Sequence, residues 1–235
     1  MARVLLLRAP DDARASAARI AALGHEPVIA PLARAEATGR RIAAPEAAPL
    51  IGTSRRAFSL LHRHDRALLG HLPVYAVGPA TAAAARAAGF GIVTAAGGDA
   101  RDLARVIIAS RPPGERLLYL AGELRGTLLE DTLAAAGFTL TVAVAYRIVP
   151  AEHLPDHAIE ALAQGQLDHI LHYSPASAAR FAALALHAGL ARAAARPSHL
   201  CLSQAVADAL APLAPIRTAI AAEPSQDALL RLLAC

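Results

Sequence analysis

Apolar positions along the chain follow two rhythms. Short apolar runs at 4–7, 27–30, 74–77, 117–120, 141–146 and 169–173 have the length and composition of buried strands. Alanine-rich segments with helical spacing lie between them. Ala13, Ala17, Ile20 and Ala21 share one face of a helix that opens at Pro10-Asp11-Asp12 and is closed by Gly24. Leu129, Leu133 and Ala136 share a face of another, closed by Gly137. Strand and helix alternate throughout, which predicts an α/β protein with mostly parallel sheets.

The pattern repeats. From Val4 to Gly24 is 20 positions, and from Leu117 to Gly137 is again 20. Ile51-Gly52-Thr53-Ser54 opens a helix through Phe58, and Ile170 to Ser174 opens one through Phe181. Val74 to Gly78 is echoed by His199 to Ser203. The chain reads as two diverged copies of one plan. Two stretches read as linkers: 31–49, rich in Pro, Ala and Arg with no clear strand, and 146–157, with Pro150 and Pro155. The pattern leaves open whether each copy is a domain or the copies exchange elements.

The 235 residues suit one or two domains. All 23 basic residues are arginine, with a formal charge of +4. Codon bias explains that usage, but arginine also grips carboxylates and phosphates in bidentate fashion, so a polyanionic ligand is permitted. Aromatic residues make up 3% with no tryptophan, which argues against base stacking and a nucleic-acid partner. Cys201, in an apolar run, reads as a small core residue, and Cys235 carries little information. The chain enters a strand-like run at once, without a signal-peptide pattern, and has no membrane-length apolar stretch. A soluble, cytoplasmic protein is expected.

Candidate chemistry gathers where strands give way to helices. Gly78-Pro79-Ala80-Thr81 places a glycine turn, a proline at the first helical position and a hydroxyl beside free backbone N–H groups. A helix start with a locally bonded threonine explains it equally. Ser54 suits a helix cap, yet Arg55 and Arg56 follow where cations oppose the helix dipole; an anion there would offset them, and so would plain solvation. Ser174-Pro175 is a second capped start. Arg8 follows the first strand, and Gly122 with Arg125 takes the matching place in the second copy. Open α/β sheets bind ligands beyond the carboxyl ends of their strands, where Arg8, Ser54, Thr81, Gly122, Ser174 and Ser203 all fall. Tyr146 ends another apolar run beside Arg147, as a site residue or as packing at a linker. No dinucleotide fingerprint, phosphate loop, carboxylate pair, metal constellation or nucleophile elbow is seen. Gly97-Gly98 reads as a turn, and the ten histidines are scattered. Hydrogen bonds and positioning would have to carry the chemistry.

The segments Val4–Arg8, Leu23–Val28, Thr53-Ser54, Val77–Ala82, Ala145–Arg147 and Tyr173–Pro175, in this order and spacing, resemble the uroporphyrinogen-III synthase family across essentially the whole chain. The resemblance implies two flavodoxin-like domains, each a parallel sheet with helices on both faces, joined by a two-stranded linker with a ligand cleft between them. The first would hold 1–34 and 150–235, the second 39–144, with linkers at 35–38 and 145–149. The implied reaction cyclises hydroxymethylbilane, a linear octacarboxylate tetrapyrrole. The terminal hydroxyl leaves as water, and the terminal (D) ring is inverted through a spiro intermediate to give uroporphyrinogen III. The pyrroles supply the electron push, so no cofactor is implied. Tyr146 is the implied aid to hydroxide departure, and Arg8, Thr53, Ser54, Gly78, Thr81, Gly122, Ser174, Pro175 and Ser203 are the implied substrate ligands. A monomer fed by hydroxymethylbilane synthase is expected.

One departure stands out. In the second copy Ser203 matches Gly78 and Val206 matches Thr81, where many family members carry glycine and threonine. Either Ser203 supplies the hydroxyl or backbone donors suffice. The departure also keeps open a non-catalytic ligand-binding or regulatory module on the same fold.

Overall fold

A computed structural model describes residues 1–42 and 48–234; Cys235 and part of the 31–49 stretch lie outside the described residues. In chain order, β1 (Arg3–Leu6), α1 (Pro10–Ala22), β2 (Glu26–Ile29) and β3 (Ala33–Ala37) are followed by β4 (Leu50–Gly52), α2 (Arg55–Ser59), α3 (Arg63–Leu69) and β5 (Val74–Ala76). Next come α4 (Pro79–Ala87), β6 (Val93–Ala95), α5 (Ala100–Ser110), β7 (Arg116–Gly122), α6 (Leu128–Ala135) and β8 (Thr139–Pro150). The chain continues with α7 (Asp156–Ala163), β9 (His169–His172), α8 (Pro175–His187), α9 (Ala191–Ala194), β10 (Ser198–Cys201), α10 (Gln204–Asp208), β11 (Arg217–Ile220) and α11 (Gln226–Arg231).

These elements form two compact units. Unit 1 is Met1–Arg34 with Pro150–Cys235, and unit 2 is Ala35–Val149. The unit 1 sheet runs β11-β10-β9-β1-β2 and the unit 2 sheet β3-β8-β7-β4-β5-β6. Neighbours from β2 to β11 are parallel, as are those from β8 to β6. The repeat now has a structural meaning. The first copy contains β1, β2, β4, β5 and β6, and the second β7, β8, β9, β10 and β11. Unit 1 takes two strands from the first copy and three from the second, whereas unit 2 takes three from the first and two from the second. Unit 1 winds 2-1-3-4-5 in chain order, the flavodoxin-like winding, and the β8-β7-β4-β5-β6 part of unit 2 repeats it in circularly permuted form.

Strand parity divides each core into two layers. In unit 1, Leu5 and Leu7 pack with Ile170, Phe181 and Cys201, while Val4 and Leu6 pack with Ile20, Leu171, Leu200 and Leu229. In unit 2, Leu50, Leu118 and Leu120 meet Phe58 and Phe90, while Ile51, Leu117 and Tyr119 meet Leu103, Ile107 and Leu133. Both faces of each sheet are therefore covered, as parallel sheets require. Gly24 and Gly137 close α1 and α6 at φ +82° and +86°, the left-handed conformation that glycine adopts most readily.

Several sequence expectations need correction. The stretch 31–49 does contain a strand, β3, built from Ala-Arg-Ala-Glu-Ala and held by pairing with β8 rather than by propensity. Tyr146 ends its apolar run but not its strand, because β8 continues to Pro150. Strands β4, β6, β10 and β11 fall outside the six apolar runs; β6, β10 and β11 carry Thr94, Ser198 with His199, and Arg217 with Thr218, which interrupt any apolar run. On α1 the buried set is Ala13, Ser16 and Ile20; Ala21 is exposed.

Candidate functional site

In unit 2 the carboxyl ends of β4, β5 and β7 carry Thr53, Gly78 and Gly122, and β8 brings Tyr146 beside them. The β7–β8 register shifts after Ala121, so that Ala121 faces Val144 and Gly122 faces Tyr146. This bulge re-aims the tyrosine. A Cβ on Gly122 would stand 2.8 Å from both Cζ and the hydroxyl oxygen of Tyr146, so the ring occupies the space a side chain would fill. The Tyr146 ring packs against the Leu50–Phe58–Leu120 layer. Its hydroxyl makes no hydrogen bond among the described residues.

Beside it, the Thr53 hydroxyl lies 2.8 Å from the Tyr119 hydroxyl. Burial pushes the Tyr119 phenol above its ordinary range, and the Thr53 hydrogen bond only partly offsets that. Tyr119 therefore keeps its proton, and either hydroxyl can donate in this pair. Tyr119 is legible in the sequence only as a strand residue, with nothing to mark it for the site. Arg125, in the loop after β7, pairs with Glu130 at 2.7 Å.

The helix starts are as expected in position but differ in use. The Ser54 hydroxyl accepts from the Arg56 N–H at 3.2 Å. Gly78 precedes Pro79, and a Cβ on it would approach Gly98 Cα to 3.2 Å. The Gly97-Gly98 turn is thus packed against this helix start. Thr81 is the third residue of α4, 5% exposed, with no side-chain hydrogen bond among the described residues. It is not locally bonded, and its hydroxyl is mostly covered.

In unit 1 the matching strand ends carry Arg8, Ser174 and Ser203. Arg8 Nη1 donates to Ser16 Oγ at 3.0 Å and to Gln226 Oε1 at 3.3 Å. Its guanidinium carbon sits 4.1 Å from the centre of the Tyr173 ring. The Ser174 hydroxyl accepts from the Ser177 N–H at 3.3 Å, with Pro175 exposed in the first turn of α8. Ser203 caps α10 by position only, without a side-chain cap bond. Val206 is the third residue of α10, as Thr81 is of α4, and it is 1% exposed. A buried third position accommodates valine in place of its near isostere threonine.

Unit 1 also buries two histidines that carried no signal in the sequence. His199 Nε2 donates to the Ala194 carbonyl at 2.9 Å, so its Nδ1 accepts from His172 Nε2 at 2.9 Å. His172 Nδ1 then has no partner among the described residues. Burial, and then the neighbouring imidazole, hold His172 well below the ordinary histidine range; burial lowers His199 too. Both stay neutral. Cys201, next to them, is buried with its thiol pushed up to about 11, and acts as the core residue expected. Among the described residues no group of three or more His, Cys, Asp or Glu could hold a metal ion, and no helix is long and apolar enough to cross a membrane.

The solved structure of uroporphyrinogen-III synthetase from Helicobacter pylori is similar over 100% of this chain and 99% of its own, with 18% identity and a TM-score of 0.61. A uroporphyrinogen III synthase from Thermus thermophilus matches over 100% and 96%, with 19% identity and a TM-score of 0.47. No curated protein matches the sequence. The family described as Uroporphyrinogen-III synthase HemD matches residues 14–231. The chain belongs to the uroporphyrinogen-III synthase family, lyases of tetrapyrrole biosynthesis.

Proposed function

We propose that Tyr146 is the residue that assists departure of the terminal hydroxyl when hydroxymethylbilane is cyclised. The observation that carries this is its placement: a phenol hydroxyl, unpartnered among the described residues, over Gly122 at the carboxyl end of strand β7. A phenol, with an ordinary pKa near 10, is a weak acid but a good hydrogen-bond donor to a leaving oxygen. Thr53, backed by Tyr119, offers a second hydroxyl donor beside it. The backbone N–H groups at the starts of α4 and α8, with Gly78, Ser174 and Pro175 setting those starts, suit substrate carboxylates. Helices α2 and α10 are only five residues each, so the dipole argument for Ser54 and Ser203 is weaker.

Arg8 supplies a cation for one carboxylate. Leu124, 85% exposed in the loop after Gly122, offers apolar surface that a pyrrole ring can cover. The linear tetrapyrrole closes on its own to the uninverted isomer, so positioning rather than bond activation is the protein's main task. That same lability favours direct supply by hydroxymethylbilane synthase to a monomeric acceptor in the same cytoplasmic compartment.

The test is incubation with enzymatically generated hydroxymethylbilane, followed by chromatographic separation of the isomers. Type III product is expected from the native chain, and Tyr146→Phe should shift the mixture toward type I. Native turnover in Tyr146→Phe removes Tyr146 from the mechanism. Type I product alone from the native chain favours the non-catalytic reading.

A further inference from the structure

Arg8 is held in a way that a surface arginine is not. The hydroxyl of Ser16, which is 0% exposed, donates to the Asp12 carbonyl at 3.0 Å. Its two lone pairs accept from Arg8 Nη1 at 3.0 Å and from Gln226 Nε2 at 3.1 Å. Its hydrogen-bonding capacity is thereby filled. Gln226 in turn offers Oε1 to the same Nη1 at 3.3 Å, closing a three-membered ring of hydrogen bonds among Arg8, Ser16 and Gln226. The Tyr173 ring lies 4.1 Å from the guanidinium carbon, and its hydroxyl is buried without a partner among the described residues. It is the face of the tyrosine that is used.

The consequence lies in which donors remain. A guanidinium has five N–H groups in a planar fork. Both protons of Nη1 are committed inward, which leaves the Nε–Nη2 edge, the edge that receives a carboxylate with two parallel hydrogen bonds. Ser16, Gln226 and Tyr173 are all neutral, so they fix the plane of the guanidinium without cancelling its charge. Arg125 in unit 2 behaves differently, because Glu130 pairs with it.

Resting on the reading of Arg8 as a carboxylate ligand, we infer that Ser16, Gln226 and Tyr173 are positioning residues that present its Nε–Nη2 edge to one carboxylate of the tetrapyrrole. Ser16 and Gln226 stand 210 positions apart, on helices from the two ends of the chain, and neither carries a site signal in the sequence.

The experiment measures KM and kcat with hydroxymethylbilane generated in situ. Arg8→Gln should raise KM about tenfold, the usual scale for losing a charged hydrogen-bond pair. Ser16→Ala, Gln226→Leu and Tyr173→Leu should each raise KM about three- to tenfold with kcat nearly unchanged, and in the Arg8→Gln background they should add nothing. Tyr173→Phe should restore the native KM, since only the ring is used. Gln226→Glu should raise KM at least as much as Gln226→Leu by placing an anion on Nη1; Gln226 is half-exposed at a helix start, so neither change threatens folding. An unchanged KM in Arg8→Gln overturns the reading of Arg8 itself. A raised KM in Arg8→Gln with native KM in the Ser16, Gln226 and Tyr173 variants, or effects that remain additive with Arg8→Gln, leaves that reading standing and overturns the positioning role.

Discussion

In unit 1 strand β1 leads into an arginine held by neutral groups; in unit 2 the matching strand β7 ends in a glycine lying under a tyrosine. Five strands of each unit correspond in order when matched by copy, and unit 2 adds β3 at one edge. Unit 1 gathers a cation and two serines around its strand ends and buries a pair of neutral histidines within its core. Unit 2 gathers the hydroxyls of Thr53, Tyr119 and Tyr146, and its nearby Arg125 is paired with an acid. Two copies of one frame thus carry different groups: on the proposed reading, Arg8 of one suits a carboxylate and the hydroxyls of the other suit a departing oxygen.

The largest break in this comparison should come from Gly122→Val, which needs the space that the Tyr146 ring fills. It should match Tyr146→Phe, each lowering kcat about 100-fold or more if the phenol assists as a general acid, read from the rate of type III product. A Gly122→Val protein with native rates would show that Tyr146 need not lie there. Next, Thr53→Val and Tyr119→Phe should each cost about 1 kcal/mol in kcat/KM, and the double variant little more than either alone, because one hydrogen bond joins them. Full additivity would separate the two hydroxyls.

The histidine pair predicts a pH effect confined to unit 1. Both groups are depressed in the fold, so below pH about 6.5 the unfolded chain binds protons that the folded pair refuses. That contribution to stability is complete above this range and is lost as pH falls. The thermal midpoint should therefore drop on acidification, and a His172→Leu/His199→Leu double variant should flatten the drop; an unaltered pH profile in that variant would count against the pair. The smallest effect is expected for Thr81→Val, a change of less than about twofold in kcat/KM, since Val206 already occupies the equivalent buried position in unit 1 and backbone donors remain. A large loss there would restore the hydroxyl to the site.

Much of this is legible in the sequence, and the rest is hidden for identifiable reasons. The spacing from Val4 to Gly24 and from Leu117 to Gly137 exposes the duplication because both helices end on glycines that the backbone conformation favours. It does not reveal that β1 pairs with β9 while β7 pairs with β4, since pairing between distant strands leaves no local trace. The meeting of Gly122 with Tyr146 depends on a one-residue shift in register that no periodicity announces. Ser16 is easily passed over on α1 because a serine breaks the apolar stripe. Its burial makes sense only once Arg8 and Gln226 are seen around it. Tyr119 looks like core because it is core at its ring and polar only at its last atom, which meets Thr53.

The exchange of halves between the two copies also sets an order in time. Every strand of unit 2 has been synthesised by the end of β8, so that unit can fold while the ribosome is still making β9. Until then β1 and β2 are an isolated pair, and the edge of β1 that pairs with β9 is open. Arg3 donates its N–H to Asp168 across 165 positions of chain, and closing so long a loop is entropically costly. A folded unit 2 shortens it, because β3 and β8 are paired and hold the two ends of the insertion side by side. The inserted half thus serves as a splint for the half that began first, and destabilising unit 2 should delay unit 1 even where no residue of unit 1 has changed.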